Sequence, residues 1–226
     1  MLATNANKYA IIFDFDGTIL DTEMAEFLAW NDIYNQFDIS LERSLWEQRI
    51  GLVGENSFNP LTHLQTIVKE TIDIFSLQQK RRSILREYVL SLKPRSGVLE
   101  LIEAAQENNI SLGIASSSPS KWVKSNLSQM GIADVFSTIK CADDVRFVKP
   151  DPELYICALK DMGVSPKLSI AIEDSPPGLL SAKRAGMSCV CVPCELSRTL
   201  DFALADVVFE SLAEFSIEAA SHLSLW

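Results

Sequence analysis

Two aspartates, Asp14 and Asp16, stand two positions apart in the run Phe13-Asp14-Phe15-Asp16-Gly17-Thr18. The residues before them, 9–13, are apolar and strand-like, so two carboxylates leave the tip of a buried strand, where unpaired charge is costly. Gly17 permits a tight turn, which lets backbone amides after Asp14 face a bound anion. Other polar groups follow strand-like runs in the same way. Ser116, Ser117 and Ser118 come after 111–115, and Glu173 and Asp174 come after 169–172; Lys149 lies in Val148-Lys149-Pro150-Asp151-Pro152. Converging carboxylates repel one another and need a cation, and hard oxygen ligands that leave room for water suit Mg²⁺.

The elements that must carry these groups are legible from periodicity. Short runs at 9–13, 111–115, 169–172 and 188–192 are rich in Ile, Ala and Val, as strands buried on both faces are. Helix-like stretches at 99–107, 121–130, 153–162 and 179–185 alternate with them, which predicts an α/β fold built on a doubly wound parallel sheet. Ser118-Pro119, Asp151-Pro152, Ser165-Pro166 and Ser175-Pro176 each place a capping side chain before a proline; Gly131, Gly163 and Gly186 stand where helices should end. In open sheets of this kind ligands bind at the carboxyl edge of the strands, and the polar residues above converge there.

Residues 21–94 break the alternation. They read as helices only, at 23–35, 41–49, 60–76 and 77–92, with a glycine-containing turn at 51–54. This predicts a helical cap domain, residues 21–94, inserted after the first strand of a core formed by residues 1–20 and 95–226. Residues 19–21 and 93–96 would be two hinge strands.

Asp14-Phe15-Asp16-Gly17-Thr18 resembles the first motif of the haloacid dehalogenase superfamily, in its phosphatase and phosphomutase branch. Ser116, Lys149 and Glu173-Asp174 match the other three motifs in order, so the resemblance spans the chain and implies a Rossmann-like core. It implies that Asp14 is a nucleophile forming an aspartyl phosphate. It makes Asp16 the acid that protonates the leaving oxygen and then the base that activates water. Ser116 and Lys149 would be catalytic as well. The phosphate would be held by Phe15, Asp16, Ser116, Ser117 and Lys149. Mg²⁺ would be held by Asp14, Asp174 and the Asp16 carbonyl, with Glu173 acting through water. The substrate would be a small phosphorylated metabolite, with carbohydrate phosphates favoured.

Dehalogenation is disfavoured because dehalogenases lack the aspartate present here as Asp16. β-Phosphoglucomutase is a nearer rival and is similar in layout. Mutases carry a histidine and then a tryptophan early in the cap, where this chain has Glu26 and Trp30. They also carry a lysine before the cap glycine and an arginine after it, where this chain has Ile50 and Gly54. A phosphatase is therefore the better reading, and a catalytically quiet regulatory member is the reading from another class. Glu23, Glu26, Arg49 and the 51–54 turn are candidates to face the site. Trp30, Trp46 and Trp122 read as core, and neither His63 nor His222 is assigned a role.

Bulk properties agree with such an enzyme. The 226 residues are 47% apolar and carry a net charge of -10, with no basic stripe, which argues against a nucleic-acid partner. The basic run 80–82 with Arg86 reads as a solvated helix face. No apolar run is long enough to span a membrane and no export signal is visible, so a cytoplasmic monomer is expected. Cys141, Cys157, Cys189, Cys191 and Cys194 are expected to be free thiols, with Cys189 and Cys191 on one face of a strand.

Overall fold

The computed structural model describes residues 9–51, 58–69, 71–222 and 224–226. After β1 (Ala10–Phe13) come four helices: α1 (Thr22–Asn35), α2 (Arg43–Gly51), α3 (Pro60–Ile67) and α4 (Ile74–Ser91). The chain then alternates through α5 (Val98–Glu107), β2 (Ser111–Ala115), α6 (Ser120–Gln129), β3 (Thr138–Lys140), α7 (Glu153–Met162), β4 (Ser169–Glu173), α8 (Pro176–Arg184) and β5 (Ser188–Cys191). It closes with β6 (Val207–Val208) and α9 (Ile217–His222). The six strands form one sheet in the order β3-β2-β1-β4-β5-β6, parallel throughout. The doubly wound α/β expectation is met.

Alternation along the strands explains the two layers. Ile11 and Phe13 point with Leu112, Ile114, Ile170 and Ile172 into a core covered by α5, α6 and α9. Ala10 and Ile12 point the other way, with Ala171, Cys189 and Cys191, against α7 and α8. All five cysteines are free, and the Sγ atoms of Cys189 and Cys191 lie 3.9 Å apart on that second face. Trp30 and Trp46 are buried in a separate cluster with Tyr34, Leu64 and Leu77, which also takes in Cys194 and Leu196 from the segment after β5. His63 accompanies this cluster, its Nδ1 3.0 Å from the Tyr34 hydroxyl.

Several expected boundaries are corrected. The helix expected over 60–76 stops at Ile67, because Val68 turns extended and Asp73 starts a new helix. Asp73 Oδ1 accepts from the amides of Phe75 and Ser76 at 3.1 and 3.2 Å, and α4 runs on from there. The two hinge strands are not strands. Asp16 and Leu20 form one isolated bridge, and Arg95 N donates to Ile19 O at 2.8 Å; Pro94, lacking an N–H, cannot extend the ladder. Ser118 does not cap α6; its hydroxyl is used elsewhere. The 51–54 turn lies outside the described residues beyond Gly51, which ends α2. The short strands β3 and β6 lacked the apolar run that marked the other four.

Candidate active site

β1 is the third strand from one edge, flanked by β2 and β4, and the direction of winding reverses there. Its tip is where a crevice must open. Asp14 N still donates to Ile172 O at 2.9 Å, so the sheet holds the Asp14 backbone. The chain then turns at Gly17, whose φ is +84°. A Cβ on Gly17 would stand 2.0 Å from Asp174 Oδ2, and one on Gly178 would stand 1.9 Å from Glu173 Oε2. Glycine at both positions leaves room for the paired acids that end β4.

Three carboxylates meet at this tip. Asp14, Glu173 and Asp174 each offer an oxygen within 4.8 Å of the others'. Lys149, 5% exposed, reaches into the group, donating from Nζ to Asp14 Oδ1 at 2.5 Å and to Glu173 Oε1 at 2.7 Å. The Tyr155 hydroxyl donates to the same Glu173 oxygen at 2.6 Å. One lysine does not balance three acids. Burial pushes Asp14 up to about 7 despite Lys149, with Glu173 and Asp16 adding to the rise. Burial, then Asp14 and Glu173, hold Asp174 well above the usual carboxylate range. Burial alone would lower the Lys149 ammonium, but Asp14 and Glu173 outweigh it and hold it above its ordinary value.

Two oxygens in this cluster, Asp14 Oδ2 and Asp174 Oδ2, are buried and accept no hydrogen bond among the described residues. Orphaned carboxylate oxygens beside a surplus of negative charge are what a hard divalent cation satisfies. The donor set of Asp14, Glu173 and Asp174 therefore fits Mg²⁺. The Asp16 side chain is not in this set.

Asp16 is held instead by a ring of donors. Thr22 Oγ1 and Trp122 Nε1 each donate to Oδ1 at 2.8 Å, and Ser118 Oγ donates to Oδ2 at 2.6 Å. Ser116 Oγ lies 3.5 Å from Oδ2 and accepts the Ser118 amide at 3.0 Å. Asp14, Asp16, Ser116, Ser117, Lys149 and Asp174 all line a cavity of about 250 Å³. Glu23 and Arg49 line it too, as two of the helical candidates were expected to. Burial pushes Glu23 up to about 7, opposed by Arg49 and aided by Asp16. Glu26 is instead paired with Arg81 at 2.7 Å, and the Phe15 side chain is packed in the core.

Reading the sequence missed several residues of this site. Trp122 packs against the core, as its helical position predicts, yet it is half-buried and its indole N–H serves Asp16. Its amphipathic position on α6 gave no hint of a polar partner. Tyr155 and Thr22 stand outside the sequence motifs. Arg95 was also missed: Nη1 donates to Gly17 O and to Val192 O, the latter at 2.9 Å, and Nη2 donates to Pro193 O at 3.0 Å. It ties the Gly17 turn to the segment after β5, a pairing visible only in three dimensions.

Known proteins resemble this chain over most of its length. A family model described as haloacid dehalogenase-like hydrolase matches residues 11–192. The Bacillus subtilis protein YhcW, whose phosphatase designation is provisional, is 42% identical across 92% of this chain and 94% of its own length. A β-phosphoglucomutase from the same organism is 31% identical over 81% of this chain and 82% of that one. The crystal structure of CbbY from Rhodobacter sphaeroides in complex with phosphate superposes with a TM-score of 0.73. It is 27% identical, covering 92% of this chain and 96% of that one.

Proposed function

The chain belongs to the haloacid dehalogenase-like hydrolases, and on that footing we propose that it is a Mg²⁺-dependent phosphatase working through Asp14 on small phosphomonoesters, sugar phosphates foremost. The observation that carries this reading is the charge arrangement at the β1 tip. A buried lysine is bonded to Asp14 and Glu173, and two carboxylate oxygens beside it have no donor among the described residues.

A carboxylate oxygen of Asp14 attacks phosphorus, and the bond from phosphorus to the leaving oxygen breaks. Asp16 gives that oxygen its proton. Asp16 then takes a proton from the water that attacks the aspartyl phosphate, which frees phosphate and restores Asp14. Because four donors surround the Asp16 carboxylate, it must release at least one of them to carry a proton across. The indole N–H of Trp122 can only donate, so the exchange falls to the hydroxyls of Ser118, Ser116 and Thr22. Lys149 offsets the charge that nucleophile and phosphate bring together. The Ser116 hydroxyl, with the amides of Phe15, Asp16 and Ser117, holds phosphoryl oxygens. Asp14, Asp174 and the Asp16 carbonyl would hold Mg²⁺, with Glu173 reached through water. When bound, the ion neutralises carboxylate and phosphoryl charge.

Residues 21–94 act as a cap over a core of residues 1–20 and 95–226, closing to exclude water. Glu23 and Arg49 bring the cap's own groups into the cavity, which supports that division. Among the described residues no helix is long and apolar enough to cross a membrane. A cytoplasmic monomer acting on a soluble metabolite completes the proposal. The relative named a β-phosphoglucomutase keeps a mutase as the second reading, against which stand Ile50, Gly54 and the pairing of Glu26 with Arg81.

The test is phosphate release from a panel of phosphomonoesters with Mg²⁺ and with EDTA. Release is expected only with the metal, and Asp14→Asn should abolish it. Activity that survives Asp14→Asn would reject the nucleophile. Interconversion of glucose 1- and 6-phosphates faster than hydrolysis would favour the mutase.

A further inference from the structure

Beside the catalytic cavity lies a crevice of about 900 Å³, lined by residues of α4 and by residues along the whole of α6. The two spaces share Asp16, Glu23, Arg49 and Ser118. A molecule whose phosphoryl group meets Asp14 therefore has this crevice open to the rest of its atoms. The crevice is basic in an acidic protein. Arg49, Arg81, Arg82, Arg86 and Lys121 line it against three carboxylates, Asp16, Glu23 and Glu26, while the whole chain carries a net charge of -10.

Most of the acids are already engaged. Asp16 accepts from its ring of hydroxyls and the Trp122 indole, and Glu26 is paired with Arg81. Three of the cations are not engaged: Arg82, Arg86 and Lys121 have no ion pair or hydrogen bond among the described residues. Arg82 and Arg86 are four positions apart on α4 and share one face. Leu85 and Val89, packed on Ala25 and Ala29 with Trp122 against them, supply an apolar floor beside that face. Three like charges around one space repel until an anion joins them. Arg82 and Arg86 are exposed, as a solvated helix face is expected to be, whereas Arg81 is half-buried and paired with Glu26; all three line the crevice.

We propose that this crevice binds a second anionic group, a phosphate or a carboxylate, at the leaving-group end of the substrate. The substrate class is then a phosphoester that bears a second anionic group, such as a sugar bisphosphate or a phosphorylated sugar acid, recognised by Arg82, Arg86 and Lys121. Arg82 and Arg86 present planar forks suited to either oxyanion. The proposal rests on the phosphatase reading above and narrows it.

Matched pairs of esters test it on the full chain with Mg²⁺ at low salt. Fructose 1,6-bisphosphate is compared with fructose 1- and 6-phosphates, and 6-phosphogluconate with glucose 6-phosphate. The partner with two anionic groups in at least one pair should be favoured in kcat/KM by about tenfold, and the favoured pair tells phosphate from carboxylate. The variant R82A/R86A should bring that ratio close to one, and 0.5 M salt should compress it in the wild type. A wild-type ratio near one, or a ratio unchanged in R82A/R86A, overturns the subsite. Calorimetric binding of the same pairs to the D14N protein separates the two claims. Tighter binding of the member with two anionic groups that R82A removes upholds the subsite even if no ester is turned over. Equal binding of both members rejects it, whatever the catalytic result.

Discussion

At the scale of single residues, Lys149 and Trp122 make the sharpest forecasts. Lys149→Met leaves Asp14 and Glu173 buried together without their cation, and removing one partner of a buried ion pair costs about 3 to 5 kcal/mol. The variant should denature at clearly lower urea concentration in EDTA and lose about a hundred- to a thousandfold in kcat/KM, a deficit like that of removing an oxyanion donor. Wild-type stability in that variant would mean the ammonium is not what balances the acids. Trp122→Phe keeps an aromatic ring against Ala25, Ala29, Leu85 and Val89 and deletes only the N–H on Asp16. One donor lost from a charged acceptor is worth about 1.5 kcal/mol, so kcat should fall about tenfold while KM moves little. A change confined to KM would make Trp122 a substrate contact instead of a positioning residue for Asp16.

At the scale of elements, the site depends on turns that tie strand ends together, and Arg95 is their strut. Arg95→Leu removes the donor from the carbonyls of Gly17, Val192 and Pro193. Leaving such groups unpaired should cost about 2 kcal/mol in an equilibrium denaturation curve, with activity reduced because the Gly17 turn packs on Asp174. This strut also shows where the sequence falls silent. Strands β1, β2, β4 and β5 announced themselves by continuous apolar runs, and the polar residues at their tips by interrupting those runs. Position in the chain therefore led to Asp14, Ser116, Glu173 and Asp174. Arg95, Thr22 and Tyr155 sit in stretches of ordinary composition, and their partners are remote in sequence. Trp122 misled for the opposite reason, since an indole at helical spacing carries the pattern of core whether or not its N–H is spent. The break between α3 and α4 was missed because 68–73 keeps apolar residues at near-helical spacing; its one local signal is the Asp73 cap.

At the scale of the whole molecule, acidity and metal are linked. Asp14 is raised from 3.8 to about 7 and Asp174 is raised as well, so both bind protons more tightly folded than unfolded. Without metal the fold therefore loses stability at these groups as pH climbs from about 3.8 through about 7. A bound cation competes with those protons, so the Tm gained by adding Mg²⁺ over EDTA should grow across that window and level off above it. Taking the difference between the two conditions cancels carboxylates that shift the other way, such as Asp161 beside Lys140. A difference independent of pH from 5 to 8 would argue that the ion does not touch these acids.

The central place of β1 has a cost during synthesis. Of the described strands β1 is made first; it is apolar and fully buried in the finished sheet, and β4, its partner on one side, begins at Ser169. Roughly 150 further residues must therefore be translated before that edge can close, on the order of ten seconds or more on the ribosome. Throughout that interval the edge of Ala10–Phe13 that β4 will cover lacks its partner strand. The nascent protein should thus lean on chaperones early, and slow codons placed before β4 should lower its soluble yield far more than the same codons placed after it.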